Sequence, residues 1–110
     1  MSAQDNYSVR DYGRMIADTA RTAPFVDALR RTIQPGSIVL DIGSGPGFFA
    51  LLACQLGATR VYAIEPDEAI EIGRESARRQ ANGERIVWLR GLSTEIELPE
   101  RVDVVIGDLH

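Results

Sequence analysis

Residues Val39–Phe49 have the sequence Val-Leu-Asp-Ile-Gly-Ser-Gly-Pro-Gly-Phe-Phe, and most of what the chain indicates about its fold begins there. The apolar run at 38–40 is typical of a buried parallel strand, and Asp41 ends it with a carboxylate. The turn that follows has glycines at alternate positions: Gly43, Gly45 and Gly47. Glycines leave no side chains to crowd a bound molecule, and the apolar stretch 48–56 predicts a helix. A strand, a glycine-rich turn and a helix in this order indicate a nucleotide-type pocket at the carboxyl end of a sheet.

The same alternation of strand and helix continues along the chain. Strands are predicted at residues 37–40, 60–64, 85–90 and 102–106, and helices at residues 48–56 and 67–80. Asp67 is expected to cap the second of these helices, and the fourth strand is expected to be buried on both faces. Ahead of the first strand, apolar spacing predicts two helices, at 12–20 and 25–33, separated by Pro24. The pattern predicts an α/β fold with a Rossmann-like parallel sheet of about four strands and right-handed crossovers.

The composition is that of one globular unit of 110 residues, 45% hydrophobic and 25% charged, with a net charge of −4. Because the chain has no positive stripe, neither a nucleic acid nor a membrane surface is an expected partner. No apolar run approaches the roughly 20 residues that span a bilayer, and the first residues lack a signal-peptide pattern, so we expect a cytoplasmic protein. The single cysteine, Cys54, is expected to be a buried packing residue.

Three acids are predicted to lie where strands end: Asp41, Glu65 and Asp108. Glu65 follows the glycine turn by about 20 residues, the interval at which an acid reaches the hydroxyls of a bound ribose. The alternative is that Glu65 only begins the turn that precedes Asp67. We favour the ribose role because the acid and the glycine turn agree in their spacing.

The glycine spacing and the acid in front of it distinguish two classes of nucleotide. A dinucleotide site uses Gly-x-Gly-x-x-Gly and places a helix N-terminus against a pyrophosphate. Here the spacing is Gly-x-Gly-x-Gly, and a carboxylate at Asp41 would repel a pyrophosphate but attract an ammonium group. S-adenosylmethionine has such an ammonium, together with a positive sulfonium and no phosphate. The sequence therefore favours S-adenosylmethionine over NAD.

Several stretches resemble those of a known family, the class I S-adenosylmethionine-dependent methyltransferases. Residues 39–47 look like their glycine-rich first motif, residues 61–65 like their ribose-binding motif, and residues 102–108 like the segment that leads to the substrate side. Within that superfamily, residues 12–22 and 98–103 are similar to stretches of the protein arginine methyltransferases. The resemblance implies the first half of a class I methyltransferase fold with N-terminal helices.

The resemblance also implies two parts of the chain. Residues 1–36 are expected to form a helical segment that contributes to the cofactor pocket, and residues 37–110 a Rossmann-like half-domain that binds S-adenosylmethionine. In the helical segment, Arg21 would bind the methionine carboxylate and Met15 would lie against the sulfur end of the cofactor. From spacing alone, these two residues would be an exposed arginine and a core methionine of an amphipathic helix.

In the half-domain, the resemblance assigns the remaining cofactor contacts. Asp41 and the backbone around Gly43 and Gly45 would hold the methionine amino group. Glu65 would take the ribose, and Glu95 would face the adenine amine. Without the resemblance, the stretch around Glu95 is an ordinary solvated loop.

Asp108 is the candidate catalytic residue. It matches the first of two glutamates with which arginine methyltransferases hold the guanidinium, and it is shorter by one methylene. The second glutamate would fall beyond His110, so the resemblance does not establish arginine as the methyl acceptor. A protein and a small molecule both stay open as acceptors. No role is assigned to His110.

Three functions follow from these patterns. The first is an S-adenosylmethionine-dependent methyltransferase, or the cofactor-binding portion of one. The second is a non-catalytic S-adenosylmethionine-binding or interaction module, with self-association through the exposed edge of the fourth strand. The third is an NAD-type Rossmann unit, which Asp41 and the glycine spacing disfavour.

Overall fold

The computed structural model of the chain describes residues 19–107, with side chains from residue 24 onward. Its helices are α1 (Thr19–Thr32), α2 (Phe48–Gln55) and α3 (Ile70–Ala77). Its strands are β1 (Ile38–Ile42), β2 (Arg60–Glu65), β3 (Ile86–Arg90) and β4 (Val104–Gly107). Two short 3₁₀ turns, Gly83–Arg85 and Ser93–Glu95, precede and follow β3. In the described part of the chain, no helix has the length and apolar character needed to cross a membrane.

The four strands are parallel and lie in the order β3-β2-β1-β4. Leu40 of β1 is in register with Tyr62 of β2 on one side and with Val105 of β4 on the other. The chain winds outward from β1 through β2 to β3 and then crosses back, so the direction of winding reverses at β1. Ligands of open parallel sheets bind at the carboxyl ends of the strands where winding reverses. The predicted Rossmann-like α/β sheet is confirmed, and its reversal point lies between β1 and β4.

One face of this sheet carries an apolar core. Val39, Val61 and Ala63 are fully buried there, in one cluster with Ala50 and Ala53 of α2. The small side chains of α2 allow the helix to pack closely on the strands. The cluster also includes buried residues from α1, from the position just after it, from α2 and from β4: Leu29, Ile33, Cys54 and Ile106. Helix α1 therefore packs on the same core as the sheet.

Cys54 has the packing role that was predicted, since it is 2% exposed within the core cluster. Burial raises the pKa of its thiol to about 11. The thiol is therefore protonated at physiological pH and is a poor nucleophile.

Helix α1 continues through Pro24, where the sequence predicts a break. Proline removes one backbone donor and hence one helical hydrogen bond. Packing of Leu29 and Ile33 into the core stabilises the rest of the helix, because tertiary burial outweighs local propensity. The predicted break at Pro24 is wrong, and most of the predicted helix at 12–20 lies outside the described residues.

Helix α3 begins later and ends earlier than predicted. Its N-cap residue is Ala69, and Asp67 Oδ1 accepts a hydrogen bond from the backbone N of Glu68 at 2.7 Å. Asp67 therefore stabilises the turn ahead of the helix, as short polar side chains do by bonding to nearby backbone. The prediction that Asp67 caps α3 is wrong.

Strand β4 is exposed on one face, although the sequence predicts burial on both. Val105 is 47% exposed, whereas the next residue, Ile106, is 2% exposed and belongs to the core cluster. Within the described sheet, β4 is an edge strand that pairs only with β1. The two faces of β4 differ because only the face of Ile106 is covered by the packed helices.

Candidate functional site

The glycine turn, residues 43–47, joins β1 to α2 at the carboxyl edge of the sheet. The backbone N atoms of Gly43 and Ser44 donate to the carbonyl oxygen of Ile64 at 2.8 and 3.0 Å, which fastens the turn to the end of β2. Gly43 has a φ of 71°, a conformation that favours glycine, and a Cβ atom added there would meet nothing within 4 Å. The turn is therefore fixed on the side of β2 and open at Gly43.

Glu65 ends β2 and contacts this turn directly. Its Oε1 accepts a hydrogen bond from the backbone N of Gly45 at 2.8 Å, and its Oε2 accepts one from the backbone N of Asp67 at 2.9 Å. A carboxylate has about four acceptor positions, so capacity is left for the two hydroxyls of a ribose. The structure thus brings together Glu65 and Gly45, two residues that the sequence assigns to the same ligand.

Asp41 lies inside β1, on the same face of the sheet as the buried Val39. Its carboxyl group is 2% exposed, and its Oδ2 atom is buried with no hydrogen-bond partner among the described residues. Burial, and to a lesser degree the charge of Glu65, raises the pKa of Asp41 to about 8. Asp41 is therefore protonated at neutral pH in the free protein.

The protonation of Asp41 changes one argument made from the sequence. A neutral carboxyl group does not repel a pyrophosphate, so the charge of Asp41 in the free protein does not by itself exclude a dinucleotide. The feature that a ligand would satisfy is the buried Oδ2 of Asp41, because buried polar atoms in native proteins nearly always have a partner. A ligand ammonium group has three donors and pairs with Asp41 as a carboxylate, whereas a pyrophosphate could only accept from the protonated form. The residues present therefore fit an amino-acid-bearing nucleoside.

Ser44 is a site residue that the sequence reasoning missed. It lies within the glycine turn and is 1% exposed, and its Oγ is the second buried polar atom without a partner among the described residues. The signal was available in the sequence, because Ser44 is the one residue between Gly43 and Gly45. Asp41 and Ser44 are thus the described residues that have a buried side-chain polar atom without a partner.

Glu95 lies in the second 3₁₀ turn, just after β3, so it is at the same carboxyl edge of the sheet as the glycine turn. Its side chain is exposed. The loop that carries Glu95 is fastened at its far end, because Glu100 Oε2 accepts from Arg60 Nε at 2.6 Å and from the Tyr62 hydroxyl at 2.5 Å. The position is compatible with an adenine contact, and that role stays a prediction.

The other predicted site residues are described only in part. Met15, Asp108 and His110 lie outside the described residues, and for Arg21 the helix is described but the side chain is not. Phe25 lies one helical turn after Arg21, and its ring packs edge-on against Phe49 with 4.8 Å between the ring centroids. Since Phe49 lies in the first turn of α2, this ring contact holds α1 against the start of α2.

A ligand crevice at the reversal point of a parallel sheet, bounded by a glycine turn that is fastened to β2, is how the class I S-adenosylmethionine-dependent methyltransferases are built. The fold places the chain in this class, as the sequence motifs predict. Within it, the chain belongs to the family of the ribosomal protein L11 methyltransferase (PrmA), whose family model matches residues 19–109.

Similar proteins include arginine methyltransferases, which confirms the predicted resemblance. The chain is 35% identical over 96 residues to the histone-arginine methyltransferase CARMER of Anopheles gambiae, an alignment that covers 86% of the chain and 15% of that protein. The PRMT1 enzyme-prozyme heterotetrameric complex with AdoHcy from Trypanosoma brucei matches with a TM-score of 0.81 and 29% identity, over 93% of this chain and 34% of that chain. Protein arginine methyltransferase 10 of Arabidopsis thaliana matches with a TM-score of 0.83 and 27% identity, over 96% of this chain and 31% of that chain. The chain thus spans about a third or less of the length of these proteins.

Proposed function

We propose that this chain binds S-adenosylmethionine and acts as a protein methyltransferase, or as the cofactor-binding portion of one. The observation that carries the proposal is the buried, unpartnered Oδ2 of Asp41 beside the glycine turn. An ammonium group satisfies that acceptor, and S-adenosylmethionine has one. The similar Trypanosoma brucei structure is a complex with AdoHcy, the demethylated product of this cofactor, which supports the same ligand class.

Each predicted contact has a place in this proposal. Asp41 and the backbone at Gly43 hold the amino group of the cofactor, and Arg21 binds its carboxylate. Glu65 receives the ribose hydroxyls with the acceptor positions that its two backbone hydrogen bonds leave free. Glu95 faces the adenine amine.

Two predicted residues at the reactive end of the cofactor complete the site: Met15 beside the sulfur and Asp108 beside the methyl acceptor. When bound, S-adenosylmethionine supplies an activated methyl group to a lone pair of the acceptor. The residues of the chain contribute by holding the two reactants in line, which is the main requirement of such a transfer. Asp108, the next residue in the sequence after β4, is proposed to take a proton from the acceptor or to stabilise its positive charge.

The proposed acceptor is a side chain of another protein. The matched family is named for a ribosomal protein and the similar proteins for histone or protein arginine, so both sources point to protein acceptors. A small-molecule acceptor is the alternative that the activity test below distinguishes. We also keep the proposal of a cytoplasmic protein that does not bind nucleic acid.

The binding proposal is tested by thermal unfolding of the full chain with S-adenosylhomocysteine or NAD. At about 100 times its dissociation constant, a ligand of the folded state stabilises by about 2.7 kcal/mol, which raises the melting temperature by several degrees. We expect this shift with S-adenosylhomocysteine and none with NAD. A shift with NAD alone would show that the site is a dinucleotide site.

Transfer is tested with tritium-labelled S-adenosylmethionine and three acceptor sets: arginine-rich peptides, ribosomal proteins and a small-molecule mixture. We expect label in a protein or peptide fraction. Binding without transfer to any of the three favours the second candidate function, a non-catalytic module, for which the exposed edge strand β4 is the supporting observation.

A further inference from the structure

Trp88 is the single tryptophan of the chain and lies on β3, in register with Ala63 of β2. The six-membered end of its indole ring is pressed against two glycines. A Cβ atom added to Gly47 would be 2.6 Å from Trp88 Cη2, and one added to Gly73 would also be 2.6 Å from that atom. The ring therefore occupies the space that side chains at both positions would need.

Gly73 has no backbone reason to be glycine. It lies inside helix α3 and is buried, and its φ is not in the left-handed range. Glycine at such a position destabilises a helix by about 1 kcal/mol relative to alanine. The space around it supplies the reason, because an added Cβ would be 2.7 Å from the carbonyl oxygen of Pro46 as well as in contact with Trp88. Gly73 thus admits both the ring and the glycine turn.

The ring contacts the last residue of the glycine turn, Gly47. Gly47 ends the glycine turn and is the N-cap residue of α2, and its backbone N donates to the carbonyl oxygen of Ser44 at 2.9 Å. Gly45, two residues earlier, donates to Glu65. Trp88 therefore contacts the turn at Gly47, two residues from the Gly45 amide that donates to Glu65.

We propose that Trp88, for which Gly73 leaves room, is a positioning residue. It holds the glycine turn in the position in which the turn binds the cofactor. The inference rests on the proposed function and adds a residue that none of the sequence motifs includes. Trp88 contacts the turn and not the cofactor, so its removal weakens binding through displacement of residues 45–47. Displacements of about 1 Å at positioned groups are enough to change affinity or rate strongly.

The test measures the dissociation constant of S-adenosylhomocysteine by calorimetry, at a temperature well below the melting temperature of every variant. We expect Trp88→Leu to weaken binding about tenfold and Trp88→Phe, which lacks the distal ring atoms that reach Gly47, to weaken it less. The matched control is Ile86→Val, a core change on the same strand and the same face, but away from the turn. It should lower the melting temperature and leave the dissociation constant unchanged.

The possible results separate the two proposals. If the unmodified chain does not bind S-adenosylhomocysteine, the proposed function and this inference both fail. If it binds but Trp88→Leu and Ile86→Val bind equally well, the proposed function stands and the positioning role of Trp88 is overturned.

Discussion

Asp41 has a pKa of about 8 because its carboxyl group is buried and, to a lesser degree, because Glu65 is charged. The ordinary pKa of an aspartate in an unfolded chain is 3.8, so the folded protein holds this proton more tightly than the unfolded one. The stabilising contribution of the neutral carboxyl is therefore fully present below about pH 4 and is lost as the pH rises towards 8. Between pH 4 and pH 8, the contribution of Asp41 to the free energy of unfolding decreases by up to about 1.4 kcal/mol per pH unit.

The first prediction follows for Asp41→Asn, which has nearly the same shape and does not ionise. Urea unfolding at pH 5, 6, 7 and 8 should show the free energy of unfolding of the original chain falling relative to that of the variant. The comparison with the variant removes the contribution of all other titrating groups. Parallel curves for the two proteins would contradict the raised pKa.

The second prediction concerns the ligand. A bound ammonium group favours the carboxylate form of Asp41, so binding releases the proton that the free protein holds. The affinity for S-adenosylhomocysteine should therefore rise between pH 6.5 and pH 8, by up to about tenfold per pH unit. Calorimetry in buffers of different ionisation enthalpy measures the released proton directly. Asp41→Asn should show neither effect. A pH-independent affinity of the original chain would show that the ammonium group of the ligand does not pair with Asp41.

The third prediction separates the two functions of Glu65. Glu65→Ala removes both the acceptor for the Gly45 amide and the ribose acceptor, so we expect binding of S-adenosylhomocysteine to weaken at least tenfold. Glu65→Gln keeps one oxygen for the Gly45 amide and should lose less. Glu84→Gln, an exposed acid ahead of β3, is the control and should bind normally. Unchanged binding by the alanine variant, measured by calorimetry, would show that Glu65 is not a ribose ligand.

At the scale of elements, β4 is exposed on one face and lies at the edge of the described sheet. Val105 is 47% exposed on an edge strand, and uncovered edges pair readily with other strands. We propose that copies of this chain associate through β4.

The fourth prediction tests this association by sedimentation velocity over a range of concentrations. Val105→Lys should shift the chain towards monomer, because a charge on the exposed face of an edge strand opposes pairing. Val87→Lys is the matched control, since Val87 is 37% exposed but lies on β3 at the opposite edge of the sheet. An original chain that is monomeric throughout, or a Val87 variant that dissociates instead, would contradict pairing through β4.

At the scale of the whole molecule, local patterns predicted what depends on neighbours in sequence. The strand, turn and helix from residue 38 to 56 were correctly predicted, because apolar periodicity and glycine spacing act over a few residues. The predicted helix break at Pro24 and the predicted helix cap at Asp67 were wrong, because packing of the whole helix outweighs the preference of one residue. Exposure of Val105 was missed, because it depends on which elements cover the sheet.

The site shows the same division. The sequence motifs identified Asp41 and Glu65, but not that Asp41 is neutral or that Glu65 holds the turn, since both facts depend on burial and on distance in space. Trp88 was missed altogether, because it lies far in sequence from the glycines that it touches. Residue types and spacing therefore predict which groups are present, and the fold determines their protonation and support.

The pairing of β4 with β1 has a consequence for the order in which the chain folds. The backbone N of Ile38 donates to Asp103 Oδ2 across a separation of 65 residues, whereas β1 and β2 are joined by a short connection. Contacts between distant residues form slowly, since a long loop must be closed first. During synthesis, β1, α2 and β2 are complete before residues 104–107 have been made, so one edge of β1 stays unpaired until then. Strand β4 is therefore the last of the four described strands to join the sheet, and the crevice between β1 and β4 is the last part of the described fold to form.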